Sequence, residues 1–178
     1  MFKKSVTAKI NELYSRVKHQ ILVLDGAMGT MLFKEDLDEK DYRGERFKDH
    51  PVLLKGMNDI LNLTQPEMVK AIHDKYLEAG ADILTTNSFN ANYFGLKEHG
   101  LEAYVYEINY QAAQLAWKAI KDFSGKDSDK TRFIAGTMGP TRKMASISPD
   151  VERPGYRDVH FDELVSAYQE QAQGLIDG

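Results

Sequence analysis

Apolar residues return every three to four positions over residues 4–19, at Val6, Ile10, Leu13 and Val17, and this spacing predicts an amphipathic helix. The period then gives way to the unbroken run Ile21-Leu22-Val23-Leu24, which stops at Asp25-Gly26. Such a run before a turn predicts a short, buried, parallel strand. Residues 34–54 are charged and irregular, and His50-Pro51 disfavours helix, so a long surface excursion outside the core is expected there. Thr64-Gln65-Pro66-Glu67 has the make-up of a helix start: a hydroxyl able to cap, a proline in the first turn and an early acid. Met68, Ala71, Ile72 and Leu77 supply the apolar face of that helix, and Gly80 stands where a terminating glycine belongs.

Ala81-Asp82-Ile83-Leu84-Thr85-Thr86 predicts a second strand, followed by the polar loop Asn87-Ser88-Phe89-Asn90. A helix over about 101–122 keeps Ile108, Ala112, Leu115 and Ala119 in step, and Tyr104, Tyr106, Tyr110 and Trp117 on it are expected in the core or an interface. After a polar turn at 124–130, Arg132-Phe133-Ile134-Ala135-Gly136 predicts a third strand. A last helix over 161–176 would turn Leu164, Ala167, Tyr168 and Leu175 inward, with Gly178 as a second terminating glycine. Strand, loop and helix recur with no hairpin between strands, the pattern of a parallel α/β sheet. Three strands do not close a barrel, so the pattern reads as cut off.

Composition narrows the class. The 178 residues are 42% hydrophobic and 28% charged, as a single globular domain requires. A net charge of -4 argues against a nucleic-acid surface, which is built on clustered cations. No run is long enough to span a membrane and the first ten residues lack a signal-peptide core, so the expected compartment is the cytoplasm. The cysteine count is zero, which excludes disulfides, thiol nucleophiles and thiolate metal sites within these residues.

Candidate chemistry gathers after the strands. Asp25-Gly26-Ala27-Met28-Gly29-Thr30 lets backbone N–H groups approach an anionic group such as a carboxylate; equally, its glycines suit a tight turn. Asn87 and Asn90 offer donors and acceptors to an amino acid or sugar, or simply cap turns. Gly136-Thr137-Met138-Gly139-Pro140-Thr141 is glycine-rich in the same place, which points to one shared pocket, with Arg142 and Lys143 beside it either drawing an anion or merely solvated. None of the five histidines lies in a metal-binding pair, and Ser146 and Ser148 lack a hydrolase setting. The acidic run Glu35, Asp36, Asp38, Glu39 and Asp41 lacks calcium-loop spacing and reads as a solvated face.

The 25–30 loop, Asn58-Asp59-Ile60-Leu61-Asn62-Leu63-Thr64-Gln65-Pro66, Thr86-Asn87-Ser88-Phe89-Asn90-Ala91 and Gly139-Pro140-Thr141 together resemble the homocysteine S-methyltransferase domain. Ser146-Ile147-Ser148-Pro149-Asp150 with Arg153-Pro154-Gly155-Tyr156-Arg157 is more similar to the N-terminal domain of cobalamin-dependent methionine synthases than to the betaine-using relatives. The resemblance runs from about residue 17 to residue 178.

It implies a (βα)8 TIM-type barrel, of which residues 21–178 would be about the first three βα units and residues 1–20 a leading, capping helix. It also implies homocysteine at the carboxyl ends of the strands, a zinc ion on three cysteine thiolates that activates its sulfur, and a methyl group from methylcobalamin on another domain. Methyltetrahydrofolate on a third domain recharges the cobalamin. By this resemblance the backbone of the loop from Asp25 through Gly26, Ala27, Met28 and Gly29 to Thr30 receives the amino-acid end, Asp25 helps hold the ammonium or orders the pocket, Asn87 lines it, and Thr137 to Thr141, Gly139 among them, form another part of its rim. Thr85 stands where many relatives carry an acid. The zinc cysteines and an ammonium-binding glutamate are expected beyond residue 178, so this length alone is expected to be inactive and, through an exposed open edge, to self-associate. A cobalamin-independent transferase using betaine or S-methylmethionine and a non-catalytic amino-acid-binding module are the alternatives.

Overall fold

Three segments run side by side and parallel, with β1 (Ile83–Thr85) between its neighbours. The computed structural model describes residues 2–124 and 130–178, the side chains of the first six residues excepted. The turn expected at 124–130 therefore lies almost wholly outside the described residues, as does the side chain of Val6. On one side β1 pairs with β2 (Phe133–Ala135), Ile83 opposite Phe133 and Thr85 opposite Ala135. On the other side the expected strand at 21–24 makes a single parallel bridge, Leu24 to Ile83. Val23 carbonyl oxygen accepts from the N–H groups of Asp82 and Ile83, and Asp25 N–H donates to Ile83. The burial expected for this strand is not found: Ile21 is 91% exposed, and Val23 and Leu24 are more than half exposed. An apolar run reports what a strand would bury, and here no second neighbour covers it among the described residues.

Helices make up most of the remainder: α1 (Phe2–Val17), α2 (Met28–Phe33), α3 (Glu39–Arg43), α4 (Leu61–Thr64), α5 (Pro66–Glu78), α6 (Tyr93–Lys97), α7 (Val105–Ser124) and α8 (Phe161–Asp177). The fold is mixed α/β, mostly helical, with a small parallel sheet, and no helix among the described residues is long and apolar enough to cross a membrane. α7 is the central rod, with α5 and α8 packed along it. Its predicted face is the observed one, since Ile108, Ala112, Leu115 and Ala119 are all buried. Of the tyrosines, Tyr104 packs on the core, Tyr106 and Tyr110 stack at 6.1 Å, and Trp117 is half exposed beneath Lys121.

α5 starts at the expected proline but without the expected cap, because the Thr64 hydroxyl donates back to Ile60 carbonyl oxygen instead. Its inner face is rotated from the expected one: Val69, Ile72, His73 and Leu77 are buried, and Ala71 is exposed. At its end Gly80 takes φ +99 while Ala81 N–H reaches back to Tyr76 carbonyl oxygen, the expected glycine stop. α8 buries Ala167 as expected, but Leu164, Tyr168 and Leu175 are only half-buried; Gln171 and Gly174 complete its contact face.

The excursion at 34–54 is not outside the core. Asp38 caps α3 and Asp41 returns the bond to Asp38 N–H. Glu39 accepts from the N–H groups of Leu54 and Lys55 and pairs with Arg43 at 2.6 Å. These acids, expected to face solvent, are spent on backbone donors, and the fold they hold buries Tyr42, Phe47 and Leu54. α1 forms where expected and is tied to the rest through Arg16, which donates to Thr131 carbonyl oxygen, lies 3.9 Å from Asp82 and sits 5.7 Å over the Phe133 ring.

Candidate functional site

The carboxyl ends of the parallel segments bring three loops together, and hydrogen bonds join each to the next. Asp25 ends the first segment, and Thr85, at the end of β1, donates to it twice, N–H to Oδ2 and Oγ1–H to Oδ1, each at 2.8 Å. Burial pushes the Asp25 carboxyl above its ordinary pKa, and the two Thr85 donors pull the other way. A carboxylate has about four acceptor positions, so two remain for a ligand.

From β1 the chain of bonds passes to the loop after β2. Thr137 N–H donates to Thr86 Oγ1 at 2.8 Å, and Ser88 hydroxyl donates to Thr137 carbonyl oxygen at 2.8 Å. Ser88 has spent its proton, so Thr86 is the donor in the 2.6 Å contact between the two hydroxyls. Gly139 N–H donates to Phe89 carbonyl oxygen, and a Cβ on Gly139 would lie 2.3 Å from that oxygen. Glycine is required there by close approach. Tyr168 of α8 closes the rim by donating to Gly139 carbonyl oxygen at 2.8 Å.

The first loop is pinned from below. Gly26 lies against the Tyr76 ring, and the Tyr76 hydroxyl donates to Ala27 carbonyl oxygen at 3.2 Å. α2 begins at Met28 with no side-chain cap, Met28 packs partly into the core, and Gly29 and Thr30 are exposed. A Cβ on Gly29 would lie 3.7 Å from Asn58 Nδ2, and Asn58 carbonyl oxygen accepts from Asn87 Nδ2 at 2.8 Å. Asn62 Nδ2 in turn donates to Asn87 carbonyl oxygen at 2.6 Å. Asn87 is thus buried in an asparagine cluster. Hydrogen bonds and close contacts thus connect Asp25, Asn87, Thr137 and Gly139 to the three loop ends, with Gly26 and Ala27 held by Tyr76, while Met28 turns partly into the core and Thr30 is exposed.

Sequence reasoning missed the turn that organises this end. Asn58, Asp59 and Asn62 lie in a quoted motif, but nothing in their spacing says they meet the loop after β1. The pair Arg142 and Lys143 forms surface ion pairs, at 3.0 Å to Glu98 and 2.6 Å to Asp158. They border a separate cavity of about 710 Å³ between α6, the 140–143 loop and α8, which none of the 25–30 residues lines.

The sequence model of the homocysteine S-methyltransferase family matches residues 22–178. The chain belongs to that family. Among solved structures it is similar to the Escherichia coli homocysteine methyltransferase MmuM in its metallated form, with 22% identity and a TM-score of 0.66 over 90% of this chain and 52% of that one. The oxidized form matches at 24% identity and a TM-score of 0.66, covering 93% and 52%. The apo form matches at 22% and 0.60, covering 90% and 47%. At such identity the likeness is one of fold, and this chain spans about half the length of those structures.

The family resemblance implies zinc on three cysteines. This chain has no cysteine, and among the described residues no three His, Cys, Asp or Glu side chains gather where they could share a metal ion. The residues present do not fit zinc, and activation of a thiol is not assigned to them. Cobalamin is implied on a separate domain, so no residue of this chain is asked to hold it.

Proposed function

We propose that this chain is the homocysteine-binding part of a cytoplasmic homocysteine methyltransferase, built on the first three βα units of a (βα)8 barrel. The observation that supports it is the double hydrogen bond from Thr85 to Asp25, which orients a half-buried carboxylate at the meeting point of the three loops. Asp25 takes the ammonium of homocysteine on its two remaining acceptor positions. The backbone of the 25–30 loop takes the carboxylate, Asn87 lines the pocket, and Thr137 and Gly139 form its rim. The methyl donor is methylcobalamin, recharged from methyltetrahydrofolate on companion domains, a reading supported by the 146–157 motifs. Transfer from betaine or S-methylmethionine is the second reading, compatible with the fold likeness to a homocysteine methyltransferase. Residues 1–178 alone bind and orient homocysteine without transferring a methyl group.

Calorimetric titration with L-homocysteine and L-alanine tests this. Wild type is expected to bind homocysteine, and Asp25→Asn to bind at least about tenfold more weakly, the loss of one charge-assisted hydrogen bond. Equal binding by the variant, or no heat with homocysteine, overturns the assignment. In a chain extended with the companion domains, dependence of methionine formation on cobalamin separates the two donors.

A further inference from the structure

Asp59 is 2% exposed, in the 3-10 turn Asn58–Ile60, and His99, beyond α6, is the titratable neighbour that acts to lower its pKa. A carboxylate at that depth is costly unless hydrogen bonds compensate it. Its bonds go to backbone: Oδ1 accepts Asn90 N–H at 2.9 Å, and Ala91 N–H also favours its charged form. Asn90 is gripped from its other side as well, because a Cβ on Gly95 would lie 2.2 Å from Asn90 carbonyl oxygen. The residues flanking Asp59 hold the other end of the same loop, Asn58 and Asn62 each bonding Asn87. The turn and the helix α4 that follows it therefore clamp residues 87–91 at both ends, and those residues lie between the first and third loops of the candidate site.

We propose that Asp59 is a positioning residue: its buried carboxylate holds the 87–91 loop in the shape that presents Asn87 to an amino-acid ligand. This rests on the homocysteine reading above. Burial raises Asp59 to a pKa of about 6, against the Asn90 and Ala91 donors, so its charge is lost within an accessible range of pH. Losing the charge weakens the grip on Asn90 while leaving every side chain in place. Asp25 is also raised by burial, so a pH profile alone does not isolate Asp59; the isosteric Asp59→Asn does.

Two readouts on the full chain decide the matter. The first needs no ligand: the Asn90 backbone amide and the Asn87 side-chain amide are followed by NMR from about pH 5 to about pH 7.5. Both are expected to move together with a midpoint of about 6 in wild type, and neither to show that transition in Asp59→Asn. The second is L-homocysteine calorimetry at the same two limits. Wild type is expected to bind about fivefold more weakly at the acid limit, the worth of roughly one net hydrogen bond, while Asp59→Asn binds at the weaker level throughout. Gly95→Ala, which pushes on Asn90 from the opposite side, is expected to weaken binding while keeping the Asp59 transition. An Asn87 amide indifferent to Asp59, or an Asp59→Asn variant with wild-type affinity and pH profile, overturns the proposal. If both amides titrate together but homocysteine does not bind, the homocysteine reading fails and the hold of Asp59 on the loop stands.

Discussion

Thr85 gives both of its hydrogen-bond donors to one carboxylate, that of Asp25, through two bonds of 2.8 Å. An acid at position 85, as the family resemblance suggests for many relatives, would turn that attraction into repulsion. Thr85→Val removes the hydroxyl and keeps the shape. The Asp25 carboxyl is then expected to titrate at higher pH than in wild type, read by carbon-detected NMR, with stability lower by about 1 kcal/mol. Thr85→Glu is expected to raise it further. An Asp25 titration unchanged in both variants would show that Thr85 does not govern it.

Two buried groups set opposing pH dependences. His73 is fully buried in α5 with neither ring nitrogen partnered among the described residues, and burial depresses its pKa to about 4, Asp74 opposing and Lys70 reinforcing that fall. The unfolded chain protonates this histidine from about pH 6.5 downward while the fold resists, so its contribution to stability is lost as pH falls from 6.5 toward 4. Asp59 runs the other way. Its folded pKa of about 6 exceeds the unfolded 3.8, so its contribution is present at low pH and lost as pH rises between those values. Each window spans about 3 kcal/mol, and in wild type they nearly cancel. Relative to wild type, Asp59→Asn is expected to gain stability as pH rises from about 4 to about 6, and His73→Leu to lose it, in urea unfolding series. Parallel curves for all three proteins would refute the cancellation.

Helix α8 approaches α7 at Gly174, where a Cβ would lie 2.6 Å from Tyr106 carbonyl oxygen and 2.9 Å from Asn109 Cβ. Backbone cannot yield as a flexible side chain does, so Gly174→Ala is expected to cost about 1–3 kcal/mol despite alanine's better helix propensity. Gly155→Ala, with nothing within 4 Å of the added atom, is the control and is expected to stay within about 0.5 kcal/mol of wild type. A Gly174→Ala protein as stable as the control would mean the helices separate freely.

Ile21, Val23, Leu24 and Ile134 are all exposed on or beside the small sheet, alongside a strand edge unpaired among the described residues. Such a surface favours association, and sedimentation is expected to show concentration-dependent oligomers. Val23→Lys with Ile134→Lys is expected to shift the chain to monomer. A wild-type monomer at every concentration would count against the exposed edge as an adhesive surface.

What was legible in the sequence was whatever depended on local period. The faces of α7 and the positions of β1, β2 and α8 follow from spacing within a few turns, and so does the glycine stop of α5. The excursion at 34–54 is not legible because its order comes from Glu39 reaching the N–H groups of Leu54 and Lys55, fifteen and sixteen residues away, a pairing no local pattern reveals. Thr64 was misread because a hydroxyl next to a short helix can serve the turn behind it as readily as the one ahead. Within the site, glycines and Asp25 announce themselves by type. The hold of Asn58, Asp59 and Asn62 on the 87–91 loop does not, since ordinary polar residues become a clamp only when the chain returns to them.

The parallel pairing of Ile83 with Phe133 spans roughly fifty residues of chain, and closing a loop that long costs entropy before any ladder bond repays it. Helix α7 shortens the search. Once it lies against α5, it carries the chain back toward the start of β2 as a rigid arm. The helix pair is therefore expected to form ahead of the sheet, so that weakening the α5–α7 contact would slow folding, while weakening β2 would chiefly hasten unfolding. The two limbs of a chevron plot separate those effects.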